Sequence, residues 1–314
     1  MKKLVVRSLR CVAALALVVA QVGFGHAQPA AAAPGDLVAD VIVPEGWPRN
    51  VSPSVAFDGH FLYYTEYAGS ILHRINMPPA GATTQASPPV DATIVGAPAG
   101  IMSIAYDASR DMFWATGGDG LSIYLLAKTG AATLMFTIDP VNDRPGWQAR
   151  TFITETKLAY DGTDDTIWYS PDAVARIYHY QSYADAQGTA TLVAATPFID
   201  VGVPPNDMEA QCGFSQSSGV AAGGGSLFVD AMGCPYYFEY SKTGTKLGWY
   251  AYNGAGPQSQ ESIACDNVTY AVPVFWIRDG YDAHIRAFEQ PSLGACSLGG
   301  GGGAAPARAT PKAP

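Results

Sequence analysis

A five-residue pattern of small, apolar and acidic positions recurs along the chain. Its copies are Ser54-Val55-Ala56-Phe57-Asp58, Ser103-Ile104-Ala105-Tyr106-Asp107, Lys157-Leu158-Ala159-Tyr160-Asp161, Gly219-Val220-Ala221-Ala222-Gly223 and Ser262-Ile263-Ala264-Cys265-Asp266. The second position is always Val, Ile or Leu, the third is always Ala, and the fifth is Asp in four copies. Successive fifth positions lie 49, 54, 62 and 43 residues apart. A second apolar run follows each copy: Phe61–Tyr64, Met112–Trp114, Thr166–Tyr169, Ser226–Val229 and Val274–Ile277. A third comes next: Ser70–Ile75, Leu121–Tyr124, Arg176–Tyr180, Tyr236–Tyr240 and His284–Phe288. Runs this short, rich in aromatic and β-branched residues and bounded by turn residues, read as strands. Fourth strands are legible near Ala92–Val95, Thr133–Ile138, Thr191–Ile199 and Lys246–Tyr252, with Lys128-Thr129-Gly130 and Lys242-Thr243-Gly244 as hairpin turns.

Four strands per unit at this period predict an all-β single β-propeller. Five four-stranded blades are read from the repeats, six being the main alternative. A β-helix or a sandwich fits such units less well. The fifth unit lacks a fourth strand, and the unassigned run Leu37–Val43 is expected to supply it. That pairing would close the ring and leave no exposed edge.

Lys2, Lys3, Arg7 and Arg10 precede an apolar stretch, Val12–Phe24, and the small-x-small triplet Gly25-His26-Ala27. This is the layout of a secretory signal peptide rather than of a membrane span. The organisation expected is therefore 1–27 signal peptide, 28–36 flexible N-terminus, 37–291 propeller and 292–314 a Gly/Pro/Ala-rich flexible tail. Cleavage removes four positive charges and no negative ones, taking the formal net charge from −9 to −13. An acidic chain lacks the basic face that nucleic acid requires. The expected location is secreted, periplasmic or at the cell surface. The expected partner is a small molecule, a glycan or an extracellular protein.

Four cysteines remain after export, Cys212, Cys234, Cys265 and Cys296. An even number in an exported chain points to two disulfides. Cys212 and Cys234 fall in loops on one face of blade four, which favours Cys212–Cys234 and leaves Cys265–Cys296 to pin the start of the tail.

Phe57-Asp58-Gly59, Leu62-Tyr63-Tyr64-Thr65-Glu66-Tyr67 and Ile71-Leu72-His73-Arg74-Ile75 together resemble a blade of the NHL, YWTD and SMP-30 (gluconolactonase)-like propellers. Weaker matches cover the other units. The resemblance implies a funnel-shaped site at the axis, in some members with a bound divalent metal.

Alternation along the innermost strands places Ser54, Ser103, Lys157, Gly219 and Ser262 in one axial ring and Ser52, Ile101, Glu155, Ser217 and Gln260 in a ring nearer the mouth. Lys157 interrupts a small, neutral ring, and Glu155 lies two residues away on the same face. A charge near an enclosed axis must be paired. The two read either as a catalytic pair or as a structural ion pair. Arg49, Trp147, Arg150, Gln260, Ser54, Ser103 and Ser262 are candidate ligand-binding residues. Glu155, Glu209 and Glu261 are candidate oxygen ligands for a hard cation such as Ca²⁺. Many mouth acids also read as turn residues. The chain has no G-x-S-x-G elbow, H-E-x-x-H pair, P-loop or dinucleotide fingerprint. Two functions stay open. One is an exported propeller that binds a ligand or partner at an acidic axial face. The alternative is a Ca²⁺-type metal-dependent lactonase- or esterase-like hydrolase or lyase.

Overall fold

The structure is a computed structural model. It describes residues 33–45, 54–81, 83–139, 155–171, 174–254, 260–292, 294–296 and 298. The signal peptide expected over 1–27 lies outside them.

β1 (Leu37–Ile42) begins the described fold, and the repeats then build five antiparallel blades. Blade one holds β2 (Ser54–Phe57), β3 (Phe61–Thr65) and β4 (Ile71–Asn76). Next come β5 (Thr83–Gln85), which leaves the blade, and β6 (Val90–Thr93), which completes it. Blade two is β7 (Ile101–Asp107), β8 (Met112–Gly117), β9 (Ser122–Leu126) and β10 (Ala132–Thr137). Blade three is β11 (Thr156–Asp161), β12 (Thr166–Pro171) and β13 (Arg176–Ala184), flanked by both β14 (Ala190–Leu192) and β15 (Phe198–Asp200). The short helix α1 (Glu209–Cys212) leads into blade four: β16 (Gly219–Gly223), β17 (Ser226–Asp230), β18 (Tyr236–Ser241) and β19 (Lys246–Ala251). Blade five is β20 (Gln260–Asp266), β21 (Val274–Asp279) and β22 (His284–Glu289), closed by β1.

The N-terminal strand thus supplies the missing fourth strand. β1 pairs antiparallel with β22 from Leu37–Phe288 to Ile42–His284. β5 then covers its outer edge in parallel. The chain before β1 is tied down as well, with Gly35 N donating to Glu289 O and Glu289 N to Asp36 O. The inner strands contact one another in a closed circle, β2–β7–β11–β16–β20 and back to β2.

The core is divided into five seams, one between each pair of adjacent blades. Period-two alternation explains this, because successive side chains on a strand point to opposite faces. Val55, Phe57, Leu62 and Tyr64 face blade five, whereas Ala56, Tyr63 and Leu72 face blade two. The invariant Ala of the repeat has a cross-strand reason. Its partner on the second strand is always a large aromatic: Ala56–Tyr63, Ala105–Trp114, Ala159–Trp168, Ala221–Phe228 and Ala264–Trp276. A larger residue would overfill the seam.

The repeat Asp closes the turn between first and second strands. Asp58 Oδ1 accepts from the N–H groups of His60 and Phe61, Asp107 from Ser109 and Arg110, Asp161 from Thr163, and Asp266 from Val268 and Thr269. Both Lys-Thr-Gly hairpins then tie their blade to the previous one. Lys128 of blade two lies 2.7 Å from Asp58, and Lys242 of blade four lies 2.5 Å from Asp161.

Both disulfides form as expected, Cys212–Cys234 and Cys265–Cys296. Among the described residues no helix is long and apolar enough to cross a membrane.

Candidate functional site

The mouth of the axis is where the inner strands begin and the second strands end. Three ring serines are engaged with the adjacent inner strand. Ser54 Oγ accepts from Ile104 N at 2.8 Å, Ser103 Oγ from Leu158 N at 3.2 Å, and Ser262 Oγ from Val55 N at 3.2 Å. These hydroxyls therefore stitch blade one to two, two to three, and five to one.

Blades three and four break the series. Blade three carries Lys157, and blade four carries Gly219, which leaves the ring position empty of side chain. Across that gap Lys157 Nζ reaches Glu261 of blade five at 3.2 Å, with side chains 1% and 4% exposed. Glu261 is aimed there by a β-bulge, since the β20–β21 register slips between Gln260 and Ser262. The bulge doubles one position and turns a side chain that alternation would place elsewhere. Gly280 leaves room for it, because a Cβ there would stand 2.6 Å from Glu261 Cγ. The partner of Lys157 is thus Glu261, whereas the sequence pointed to Glu155, which is only partly buried.

The volume vacated by Gly219 is taken by a carboxylate. Gly219 pairs with Asp230 across β16–β17, and a Cβ on Gly219 would lie 2.2 Å from Asp230 Oδ1. Asp230 is fully buried. Lys157, Glu261 and Asp230 therefore form one buried charged floor on the mouth side of blades three to five. Two threonines at the mouth ends of their strands are buried, Thr65 on β3 and Thr156 on β11, and among the described residues the Oγ1 atom of each has no hydrogen-bond partner.

A second buried cation lies at the seam between blades five and one. Arg278 Nη2 donates to Glu45 O at 2.7 Å, and its guanidinium sits over the Tyr64 ring. Burial lowers its pKa to about 10, against the raising influence of Tyr64, Asp282, Glu45 and Asp279. Tyr64 in turn donates to Glu45 Oε2 at 2.6 Å, and burial pushes its phenol well above the usual range.

The other expected residues separate. Gln260 Nε2 donates to Cys234 O at 2.7 Å and ties blade five to the loop after β17. Glu209 is exposed on α1, in a surface concavity with Asp207 and Ser215. Arg49, Trp147 and Arg150 lie outside the described residues. Among the described residues no three of His, Cys, Asp and Glu stand together as a group that could hold a metal ion, Glu155, Glu209 and Glu261 included. Asp119 and Asp279 serve as turn residues, accepting from Leu121 and Ser122 and from Tyr281 and Asp282. Three histidines sit on third strands or their ends, two strands from the axis. His73 pairs with Asp91, His284 with Asp40, and His179 stacks on Trp168. None of these three lies beside an axial hydroxyl, so the floor has charge and hydrogen-bonding groups without a Ser-His pair.

Asp230 was legible as a mouth acid, but its place in the ring was not. The Gly219–Asp230 exchange would have been visible by aligning the ends of the second strands: Thr65, Thr116, Ser170, Asp230 and Arg278. That row becomes charged at blades four and five.

No protein-family model and no curated protein matches the chain. Solved structures do match in fold. Virginiamycin B lyase from Staphylococcus aureus is 14% identical, covers 78% of this chain and 68% of its own, and has a TM-score of 0.39. A luciferin-regenerating enzyme is 10% identical over 79% of this chain and 94% of its own, with a TM-score of 0.46. A chain of a nidogen/laminin complex is 12% identical over 74% and 72%, with a TM-score of 0.42. Such likeness is one of fold.

Proposed function

We propose that this chain is an exported binding propeller that recognises a polar, uncharged or zwitterionic group at the mouth-side floor of its axis. A glycan hydroxyl cluster or a small amino-carboxyl compound has the matching chemistry. One observation carries the reading. Blade three puts Lys157 at the ring position where blades one, two and five carry serine and buries it against Glu261 of blade five, while Gly219 at the blade-four ring position makes room for the buried Asp230. Removing charges from water costs several kcal/mol per ion, so a fold that needed only a staple is served by serine. The field of a fixed ammonium beside carboxylates, rather than contact with these buried groups, favours a ligand rich in donors and acceptors at the mouth above them. Two disulfides are compatible with an oxidising compartment.

The test is a thermal-shift panel of oligosaccharides, amino acids and lactones, run on the mature protein and on Lys157→Met/Glu261→Gln. A ligand that stabilises only the unmodified protein supports the reading. Turnover of a lactone or ester that the double variant lacks would replace it with a catalytic one.

A further inference from the structure

The charged floor is buried, so the groups that touch a ligand lie above it, on the turns of the mouth. Two of these turns carry an exposed tyrosine. Tyr67 is 38% exposed and Tyr281 50%, each two residues beyond the mouth end of its second strand, β3 or β21.

Both turns are held by the fold. After β21, Asp279 Oδ1 accepts from the N–H groups of Tyr281 and Asp282, and Asp282 accepts in turn from His284 N and Arg286 Nη2. The residue before Tyr281 is Gly280, whose missing side chain admits Glu261, so this tyrosine stands at the edge of the floor. After β3, Gly69 N donates to Glu66 O, and Gly69 and Ile101 exchange both backbone hydrogen bonds. A Cβ on Gly100 would stand 2.0 Å from Ala68 O, and one on Gly118 2.8 Å from Ala68 Cβ, so blade two makes room for this turn. The turn of Tyr67 is thus packed on blade two and that of Tyr281 belongs to blade five, with blade one between them. Half-buried carboxylates complete the setting: Glu66 adjoins Tyr67, and Glu155 lies at the mouth end of blade three.

We infer, resting on the floor proposed above as the recognition site, that its ligand is a neutral glycan and that Tyr67 and Tyr281 stack on the sugar rings. A pyranose has an apolar C–H face and a rim of hydroxyl donors. The face matches an exposed phenol ring, whose π-cloud is electron-rich. The rim matches carboxylates, which only accept hydrogen bonds. A small amino-carboxyl compound offers no face to stack, and the same carboxylates repel its anionic end and any acidic glycan. Rings spread over separate turns suit a chain of sugars rather than the closed aromatic cage that a quaternary ammonium needs. Fixed turns favour affinity, since little loop ordering remains to be done on binding.

The test is calorimetric titration of the mature protein with cellopentaose, chitopentaose and maltopentaose, and with L-alanine and choline. At least one pentasaccharide is expected to bind the parent, and to bind Tyr67→Ala and Tyr281→Ala roughly tenfold more weakly. Tyr67→Phe/Tyr281→Phe, which keeps both rings, is expected to stay within about threefold of the parent. A probe whose binding is lost in Lys157→Met/Glu261→Gln but unchanged in both alanine variants keeps the floor as the recognition site and overturns the stacking role. Choline bound in place of every sugar, and weakened by the alanine variants, overturns the glycan in favour of a cation. Failure of all three pentasaccharides overturns it as well, and binding of L-alanine in that case leaves the floor reading standing.

Discussion

The Lys157–Glu261 pair allows a quantitative test of the axial floor. The two side chains are 3.2 Å apart and nearly inaccessible. At an effective dielectric constant of about 20, two unit charges at that distance attract by about 5 kcal/mol. Desolvation offsets much of this, so the intact pair adds little net stability. Removing one member is different, because a buried charge is left behind. Lys157→Met is expected to destabilise the fold by about 3 to 5 kcal/mol. At roughly 2 °C per kcal/mol for a chain of this size, Tm falls by about 6 to 10 °C. Lys157→Met/Glu261→Leu is expected to recover most of that loss. Urea unfolding of the parent, both single variants and the double variant gives the coupling energy, expected near 3 kcal/mol. A single-variant cost under about 1 kcal/mol, or effects that add within about 0.5 kcal/mol, would refute a buried, mutually dependent pair.

Four further outcomes follow from the fold. Burial alone would raise the Asp58 carboxyl, but Lys128 and the N–H groups of Phe61 and His60 together hold it below the usual value. A depressed carboxylate contributes stability above its unfolded pKa of about 3.9 and loses it as pH falls through the folded value. Denaturation of Lys128→Met should therefore lose less stability between about pH 5 and pH 2 than the parent does. Ala159→Leu, which crowds Trp168 across the β11–β12 pair, should cost about 1 to 3 kcal/mol by overpacking, as read from urea midpoints. Cys212→Ala/Cys234→Ala opens a loop of sequence separation 22 and should cost roughly 3 kcal/mol in calorimetry. A chain starting after β1 should leave β22 as a free edge and unfold without a single cooperative transition.

The architecture was largely legible because a propeller repeats one local rule. The second-position aliphatic, the invariant Ala and the turn Asp each depend on contacts within one blade or with its neighbour, so they recur in register and can be aligned. The Leu37–Val43 run was assignable for the same reason, since one strand was missing from a count. The floor was harder to read. Lys157 stood out as an exception in a small ring, but its partner depends on the bulge before Ser262, and nothing in the alternation marks a doubled position. Gly219 and Asp230 exchange places across a hairpin, a relation set by pairing register rather than spacing. Glu209 looked equivalent to Glu261 as a mouth acid, yet α1 holds it on the surface. The contacts of Leu298 with Asn267 and Gly59 had no sequence signal beyond Cys296, because the residues around it read as a flexible tail.

The most direct measurement is ligand stabilisation of the mature protein, compared with Lys157→Met/Glu261→Gln under identical conditions. A ligand present at 100 times its Kd is expected to stabilise the parent by about 2.7 kcal/mol, seen as a rise in Tm, and to leave the double variant unchanged. A ligand that raises both melting temperatures equally would place recognition away from the axial floor and contradict the account.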